Sequence, residues 1–176
     1  RYLSPEQLAK EIRNITSRTI HQIQYERYAQ TSNPESKMEL DRDKLEYEHN
    51  LGGLKHTLAY AETLSHPRSI MPLVVDIGAG TTRGTSGLQI SYPQIEWMAT
   101  VLNKKDPRIQ KNLGFDTVHG LGLPRTLRTA AENLRDLSDG VAAGFIGNYS
   151  YGYFSPPHFV AVAHRVLVRG GFHKFT

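Results

Sequence analysis

The chain has 176 residues and a formal net charge of +4, from 21 Lys and Arg against 17 Asp and Glu. With 39% hydrophobic and 22% charged residues, its composition is that of a globular protein with a hydrophobic core. The absence of cysteine excludes disulfide frameworks, cysteine nucleophiles and thiolate metal sites. No run approaches the roughly 20 apolar residues that a membrane span requires. We therefore expect a cytoplasmic protein that does not bind a membrane.

Residues 1–66 are charged and have the periodicity of helices. Ser4-Pro5-Glu6-Gln7 has the pattern of a helix N-terminus, with a capping box between Ser4 and Gln7. A break before Pro34 predicts that a second helix begins there. A third helix is predicted from apolar residues that share one face, namely Leu51, Leu54, Leu58, Ala61 and Leu64. We interpret residues 1–66 as a helical N-terminal cap.

The pattern changes near Pro67. Residues 73–77 form a short apolar run that suits a strand buried on both faces. Further strands are predicted at 95–102, 115–119, 141–147 and 171–175, and helical stretches at 85–91, 107–112, 125–136 and 156–167. This alternation predicts an α/β domain over residues 67–176, a three-layer Rossmann-like fold with a doubly wound, mainly parallel sheet.

A glycine turn follows the first predicted strand. Asp76 ends the strand, and Gly78-Ala79-Gly80 leads towards the next helix. The glycines let a ligand approach the backbone, and the helix N-terminus offers unpaired N–H groups. Asp76 is placed to orient those amides or to meet an ammonium group. A purely structural turn is the alternative, but the strand–turn–helix context favours a nucleotide-type cofactor.

Residues 74–84 resemble the first motif of the class I S-adenosylmethionine-dependent methyltransferases, in which alternating glycines follow an acidic residue. Residues 163–172 resemble the corner that leads into the fifth strand of that family, where Gly-Gly follows Arg-Val-Leu. The resemblance covers residues 70–176 and implies methyl transfer from S-adenosylmethionine to a small-molecule or other polar acceptor. The cofactor-binding residues assigned with it are Asp76, Gly78, Ala79, Gly80, Asn103, Gly120 and Leu121.

The chain departs from the family pattern at three positions. Thr82 replaces the third glycine of the motif. Val101 stands where the family carries an acidic residue for the ribose, and Asn103 is the polar residue nearby. Leu121 stands after the predicted third strand, where Asp often faces the adenine. Each lost charge-assisted hydrogen bond costs about 1.5–3 kcal/mol. A catalytically inactive binding or scaffold domain is therefore the first alternative.

The resemblance also concerns the C-terminal end. The family sheet continues beyond the fifth strand, whereas the chain ends at Thr176. We expect the C-terminal strands to be missing from this chain. An open sheet edge invites pairing with another chain, so a homo-oligomer is one expected partner.

The candidate catalytic residues follow the fourth predicted strand. Asn148, Tyr149 and Tyr151 belong to the run Gly-Asn-Tyr-Ser-Tyr-Gly-Tyr, and ligands of such folds bind beyond the carboxyl ends of the strands. Tyrosines there could stack on a substrate, contact a sulfonium or act as a base. Alternatively, their rings pack on the sheet edge. The N-terminal tyrosines Tyr25, Tyr28, Tyr47 and Tyr60 could reach over the cofactor cleft from a helical lid, or they are half-buried packing residues.

Two other site types are less favoured. The eight histidines form no metal-ligand pattern, so no metal site is predicted. Ser155-Pro156-Pro157-His158 resembles the signature of amino-group methyltransferases, but a helix N-terminus explains it more simply.

A NADP-dependent oxidoreductase is the second alternative, because the spacing of Gly78, Gly80 and Gly84 is close to that of a dinucleotide turn. Asp76, before the first glycine, argues against it. The positive charges are scattered along the sequence, so nucleic acid is a possible but not a favoured partner. The expected partner is a small-molecule acceptor.

Overall fold

A computed structural model of the chain describes residues 4–5, 7–8, 34–64, 71–80, 82–101, 125–128, 131, 133–150 and 154–176. The helices and strands, in chain order, are α1 (Pro34–Asn50), α2 (Leu54–Ala61), β1 (Leu73–Asp76), α3 (Arg83–Ser91), β2 (Glu96–Val101), β3 (Arg125–Arg128), β4 (Ala142–Gly147), α4 (Pro156–Val166) and β5 (Leu167–Phe175).

The five strands form one sheet in the order β3-β2-β1-β4-β5. All four strand pairings are parallel. Strand β1 is therefore central, and its four residues are buried, as the continuous apolar run predicts. The predicted doubly wound α/β fold is confirmed. Because the strand order reverses beside β1, its carboxyl end is a topological switch point, where ligands of such sheets bind.

Alternate residues of the central strand face two hydrophobic layers. Leu73 and Val75 pack in one cluster with Phe145 of β4 and with Phe159 and Val166 of α4. On the opposite face of the sheet, Val74 belongs to the second cluster. Its other members come from α1, α2, α3, β2 and β4 and from residues next to α1 and β2: Tyr47, Leu51, Leu54, Leu58, Ala61, Leu88, Ile95, Trp97, Ala143 and Ile146. Helices α1 and α2 thus form part of a layer on the sheet. The division of the chain at residue 66 stays a prediction.

The helix features predicted in the N-terminal part agree with the structure where that part is described. The Ser4 N–H donates to Gln7 Oε1 at 2.9 Å, and the Gln7 N–H donates to Ser4 Oγ at 3.2 Å, which is the predicted capping box. Helix α1 begins at Pro34, and α2 buries Leu54, Leu58 and Ala61 on one face. Within the described residues, no helix has the length and apolar character needed to cross a membrane.

The prediction of a helix at 125–136 is wrong wherever this stretch is described: β3 pairs with β2 from Arg125 to Arg128, and residues 131 and 133–136 are not helical. Arg and Leu favour helices weakly, but hydrogen bonding to the edge of β2 overrides that preference. Strand β5 also begins before the predicted 171, at Leu167. The stretches predicted at 107–112 and 115–119 lie outside the described residues.

Candidate functional site

The glycine turn leaves the carboxyl end of β1 in a backbone conformation that requires glycine. Gly78 has φ 67° and Gly80 has φ 56°, values in the left-handed region that glycine adopts without strain. Thr82, the N-cap of α3, has φ 65° although it is β-branched and fully buried. Thr82, which replaces the third glycine of the motif, thus adopts a backbone conformation that favours glycine.

Strand β2 holds the turn through one residue, Thr100. The Gly78 N–H donates to Thr100 Oγ1 at 3.0 Å, and the Ala79 N–H donates to the Thr100 carbonyl at 2.9 Å. The Thr100 hydroxyl in turn donates to the Asp76 carbonyl at 3.3 Å. Two of the amides predicted to grip a ligand are therefore used within the protein. The Gly80 N–H has no partner among the described residues, so it is the amide of this turn that remains for a ligand.

A cleft of about 370 Å³ opens beside this turn. Its walls come from α1, from the turn with the start of α3, and from the residue after β4. The lining residues are Arg42, Asp43, Glu46, Tyr47, Gly78, Ala79, Gly80, Arg83, Gly84 and Asn148. Gly78, Ala79, Gly80 and Asn148 among the predicted site residues thus share one cleft. A Cβ on Gly80 would meet nothing within 4 Å, so the floor of the cleft is open there.

Asp76 lies beneath the turn and is fully buried. Its Oδ2 accepts hydrogen bonds from the Tyr47 hydroxyl at 2.8 Å and the Thr85 hydroxyl at 2.5 Å. No residue that the structure describes donates a hydrogen bond to its Oδ1. Burial disfavours the carboxylate and raises the pKa of Asp76 to about 7, although the two hydroxyl donors oppose this shift.

Tyr47 separates Asp76 from the cleft. The side chain of Tyr47 is 8% exposed and lines the cleft, whereas Asp76 is covered. Burial and the neighbouring Asp76 charge raise the pKa of Tyr47 well above its ordinary value, so its hydroxyl stays protonated and donates. For Asp76 to contact a ligand's ammonium group, as predicted, the side chain of Tyr47 would have to move.

Charged side chains of opposite sign line the rim. Arg83 Nε lies 2.8 Å from Asp43 Oδ2, and Arg42 Nη2 lies 3.2 Å from Asp43 Oδ1. Glu46 accepts a contact of 3.5 Å from Asn148 Nδ2. The cleft therefore offers cationic and anionic groups to a zwitterionic ligand.

Asn148 is held from two sides. Its Oδ1 accepts from Asn50 Nδ2 at 3.0 Å and from the Thr176 hydroxyl at 3.3 Å. These bonds direct its amide group towards Glu46, so Asn148 presents an N–H donor at the cleft wall. Tyr149, at φ 56° and 62% exposed, is not one of the residues that line the cleft.

The other predicted site residues, Tyr151, Asn103, Gly120 and Leu121, lie outside the described residues. The described strand beside β2 begins at Arg125, whereas the strand predicted at 115–119 also lies outside the described residues, so the placement of Gly120 and Leu121 stays a prediction. Strand β2 ends at Val101, one residue before the predicted end at 102, and Val101 is buried.

Sequence reasoning named Tyr47 as a residue that could reach the cleft but missed the polar residues around it on α1. Asp43, Glu46 and Asn50 are spaced by three and four residues, so they share one face of the helix. That spacing of polar residues was the available signal. The role of Thr100 had no such signal, because a threonine inside a strand normally only packs.

Comparison with protein-family models finds no match for the sequence, and comparison with curated proteins finds none. Solved structures do match. A proposed S-adenosyl-L-methionine-dependent methyltransferase from Methanococcus maripaludis aligns with a TM-score of 0.56 at 13% identity, over 80% of this chain and 61% of that one.

A geranyl diphosphate methyltransferase in complex with S-adenosylmethionine aligns with a TM-score of 0.53 at 15% identity, over 69% of this chain and 47% of the other. The geranyl diphosphate C-methyltransferase of Streptomyces coelicolor, in complex with Mg²⁺, geranyl diphosphate and S-adenosyl-L-homocysteine, aligns with a TM-score of 0.50 at 13% identity. This alignment covers 68% of this chain and 43% of the other. The chain thus spans between about two fifths and three fifths of the length of these proteins. Its fold is that of the class I S-adenosylmethionine-dependent methyltransferases.

Proposed function

We propose that the chain binds S-adenosylmethionine in the cleft beside the glycine turn and transfers its methyl group to a small-molecule or other polar acceptor. One observation carries this proposal: a cleft of about 370 Å³ lies against Gly78, Ala79 and Gly80 at the carboxyl end of the central strand. That is the switch point at which this kind of sheet binds ligands. The likeness of the fold to methyltransferases supports the choice of reaction.

The residues present fit the amino-acid end of this cofactor. The Gly80 N–H is available to a carboxylate at the start of α3, where the helix dipole favours a negative charge. Glu46 offers a carboxylate to an ammonium group, and the carboxyl group of Asp76 lies buried beneath the same turn, behind Tyr47. A zwitterion therefore finds groups of both signs here. Asn103, Gly120 and Leu121 remain the proposed contacts for the adenosine.

When bound, the cofactor supplies a methyl group on a positively charged sulfur, which is ready for in-line transfer. The protein then has to align the acceptor and exclude water. Asn148 is suited to orient the acceptor, because Asn50 and Thr176 hold its amide group in place. Tyr149 and Tyr151 remain proposed acceptor contacts. The acceptor loses a proton on transfer, which bulk water takes up when the methylated product leaves the cleft.

One observation favours a second candidate, a binding or scaffold domain without catalysis. Val101 is buried at the end of β2, where a carboxylate would otherwise hold the ribose. Without that bond, binding would be weaker by about one to two orders of magnitude. The side of β5 that faces no other described strand could then pair with a second copy, as the homo-oligomer prediction requires. The cytoplasmic location stays a prediction.

Calorimetric titration with S-adenosylmethionine, S-adenosylhomocysteine and NADPH separates these functions. We expect micromolar binding of the first two and no binding of NADPH. Binding of NADPH alone would instead support the oxidoreductase. Binding of none of the three would support the scaffold domain.

The matched variants for this titration are Asn148→Ala and His158→Ala. Asn148→Ala should leave binding of S-adenosylhomocysteine within about threefold but reduce methyl transfer in a screen of amine and hydroxyl acceptors. His158, exposed on α4 and away from the cleft lining, provides the control. Equal activity of the two variants would remove Asn148 from the proposed mechanism.

A further inference from the structure

We propose that Tyr47 is a positioning residue for the cofactor: through its hydroxyl bond to Asp76, helix α1 controls the orientation and charge of the carboxylate beneath the glycine turn. This inference rests on the proposed function. To the proposed function it adds a role for Tyr47, which lies outside the glycine motif, and a dependence of cofactor binding on pH.

Tyr47 contacts three parts of the site with one side chain. Its hydroxyl lies 2.8 Å from Asp76 Oδ2. Its ring packs on the first turn of α3, since a Cβ on Gly84 would come within 2.3 Å of Tyr47 Cε2. Its remaining surface lines the cleft. A change in the position of α1 is therefore transmitted to the carboxylate and to the ligand-facing wall together.

Asp76 depends on its donors because little else around it is polar. Its neighbours on the adjacent strands are Ala99 and Ile146, both apolar. From α3 it receives the Thr85 hydroxyl. The charged groups facing this region are Glu46 of α1 and the ion pair between Arg83 and Asp43. In such surroundings burial raises the pKa of Asp76 to about 7, and each hydroxyl donor holds it lower than it would otherwise be.

The charge of Asp76 should affect a ligand that carries an ammonium group. Above the pKa of Asp76 the carboxylate is ionised and attracts that group, and below it the attraction is lost. Affinity should therefore rise with pH across neutrality. Removing the Tyr47 hydroxyl takes a donor from the ionised form, so the midpoint should move to higher pH.

The experiment is calorimetric titration of the full chain with S-adenosylhomocysteine between about pH 5.5 and 8.5, for wild type, Tyr47→Phe and Tyr92→Phe. Tyr92 is a matched control, because its hydroxyl also donates to a carboxylate of α1, Glu48, at 2.7 Å, but outside the cleft. We expect the midpoint of Tyr47→Phe to rise by about one pH unit. Its affinity at pH 7 should fall about fivefold, since the ionised fraction falls from about one half to one tenth. Tyr92→Phe should match wild type.

The outcomes are distinguishable. If wild type does not bind S-adenosylhomocysteine at any pH, the proposed function itself is overturned. If wild type binds and Tyr47→Phe has the same midpoint and affinity, only the present inference is overturned. An affinity lowered equally at every pH also overturns it, because Tyr47 then only packs.

A second measurement covers a Tyr47→Phe variant that does not fold. Carboxyl NMR of wild type, with the Asp76 signal assigned from Asp76→Asn, gives the ionisation midpoint of Asp76. The inference requires this midpoint to coincide with that of ligand binding. Separate midpoints would contradict it.

Discussion

Arg83 in the first turn of α3 forms an ion pair with Asp43 of α1, with 2.8 Å between Nε and Oδ2. The pair joins the two helices at the rim of the cleft. Close approach of the helices is possible because α3 contains Gly87, where a Cβ would lie 2.9 Å from the Cβ of Lys44 and 3.0 Å from the Leu40 carbonyl. Small residues in α3 thus position the acidic face of α1 over the glycine turn.

The first prediction concerns the energy of this ion pair. The side chains of Arg83 and Asp43 remain 30% and 16% exposed, so solvent and salt screen their attraction. A double-mutant cycle with Asp43→Asn and Arg83→Gln should give a coupling energy of about 0.5–1 kcal/mol, measured by urea unfolding, that falls with added salt. The same cycle for Asp139 and Arg165 should give a smaller coupling energy, because the side chain of Asp139 is 77% exposed. Equal couplings would contradict the ranking by exposure.

The second prediction is the pH dependence of stability due to Asp76. Its pKa is raised from 3.8 to about 7 on folding, so between these values the folded state binds more protons than the unfolded state. Stability should therefore fall as pH rises from about 4 to 7 and then level off, by up to about 4 kcal/mol. Asp76→Asn has no such ionisation and should lack this decline. Urea unfolding of both proteins across this range provides the comparison.

The difference between the two curves isolates Asp76 from histidines that titrate nearby. A constant difference across the range would mean that Asp76 ionises equally in both states. Thr85→Val should extend the decline to higher pH and enlarge its total size, because it removes a donor from the ionised form and so raises the pKa of Asp76 in the folded state.

Periodicity predicted the fold well where elements bury a continuous face. The strand at 73–77 and the helix with Leu54 and Leu58 each carry enough apolar residues to define their type. β3 was missed because its four residues, Arg-Thr-Leu-Arg, are too few to show a period. Its conformation comes from pairing with β2, which is a non-local interaction.

The site was predictable in the part that depends on local backbone chemistry. The glycine motif identified Gly78 and Gly80 because their conformations are required within the turn itself. The contacts of Asp76 with Tyr47, and of Asn148 with Asn50, join residues 29 and 98 positions apart. Such contacts depend on how α1 docks on the sheet, and one sequence contains no direct signal of that.

The third prediction uses the strained backbone of Thr82. At φ 65° and ψ −1° a β-branched residue is disfavoured by about 1–2 kcal/mol. In a helix interior glycine is less stable than alanine by about 0.5–1 kcal/mol, but here the order should reverse. We expect Thr82→Gly to be more stable than Thr82→Ala by about 1 kcal/mol, as thermal or urea unfolding would show.

Ser86, one turn later inside α3, provides the comparison for Thr82. Its side chain is also buried and donates to the Thr82 carbonyl at 3.0 Å. There the alanine variant should be more stable than the glycine variant. The same order at both positions would mean that Thr82 is not held in the left-handed region.

The fourth prediction tests the contact between Gly84 and Tyr47. An added Cβ at Gly84 would lie 2.3 Å from Tyr47 Cε2 and 2.7 Å from Cδ2, so Gly84→Ala must displace the ring. Overpacking of this kind costs about 1–3 kcal/mol. The ring cannot move without breaking the 2.8 Å bond to Asp76, so we expect a cost in the upper part of that range in urea unfolding.

The control is the same substitution in a Tyr47→Ala background. There the space is free, and Gly84→Ala should be neutral or stabilising, because alanine is the better helix former. A cost that stays the same in that background would show that the clash lies with the backbone of α1, and the proposed route from α1 through Tyr47 to Asp76 would lose its steric basis.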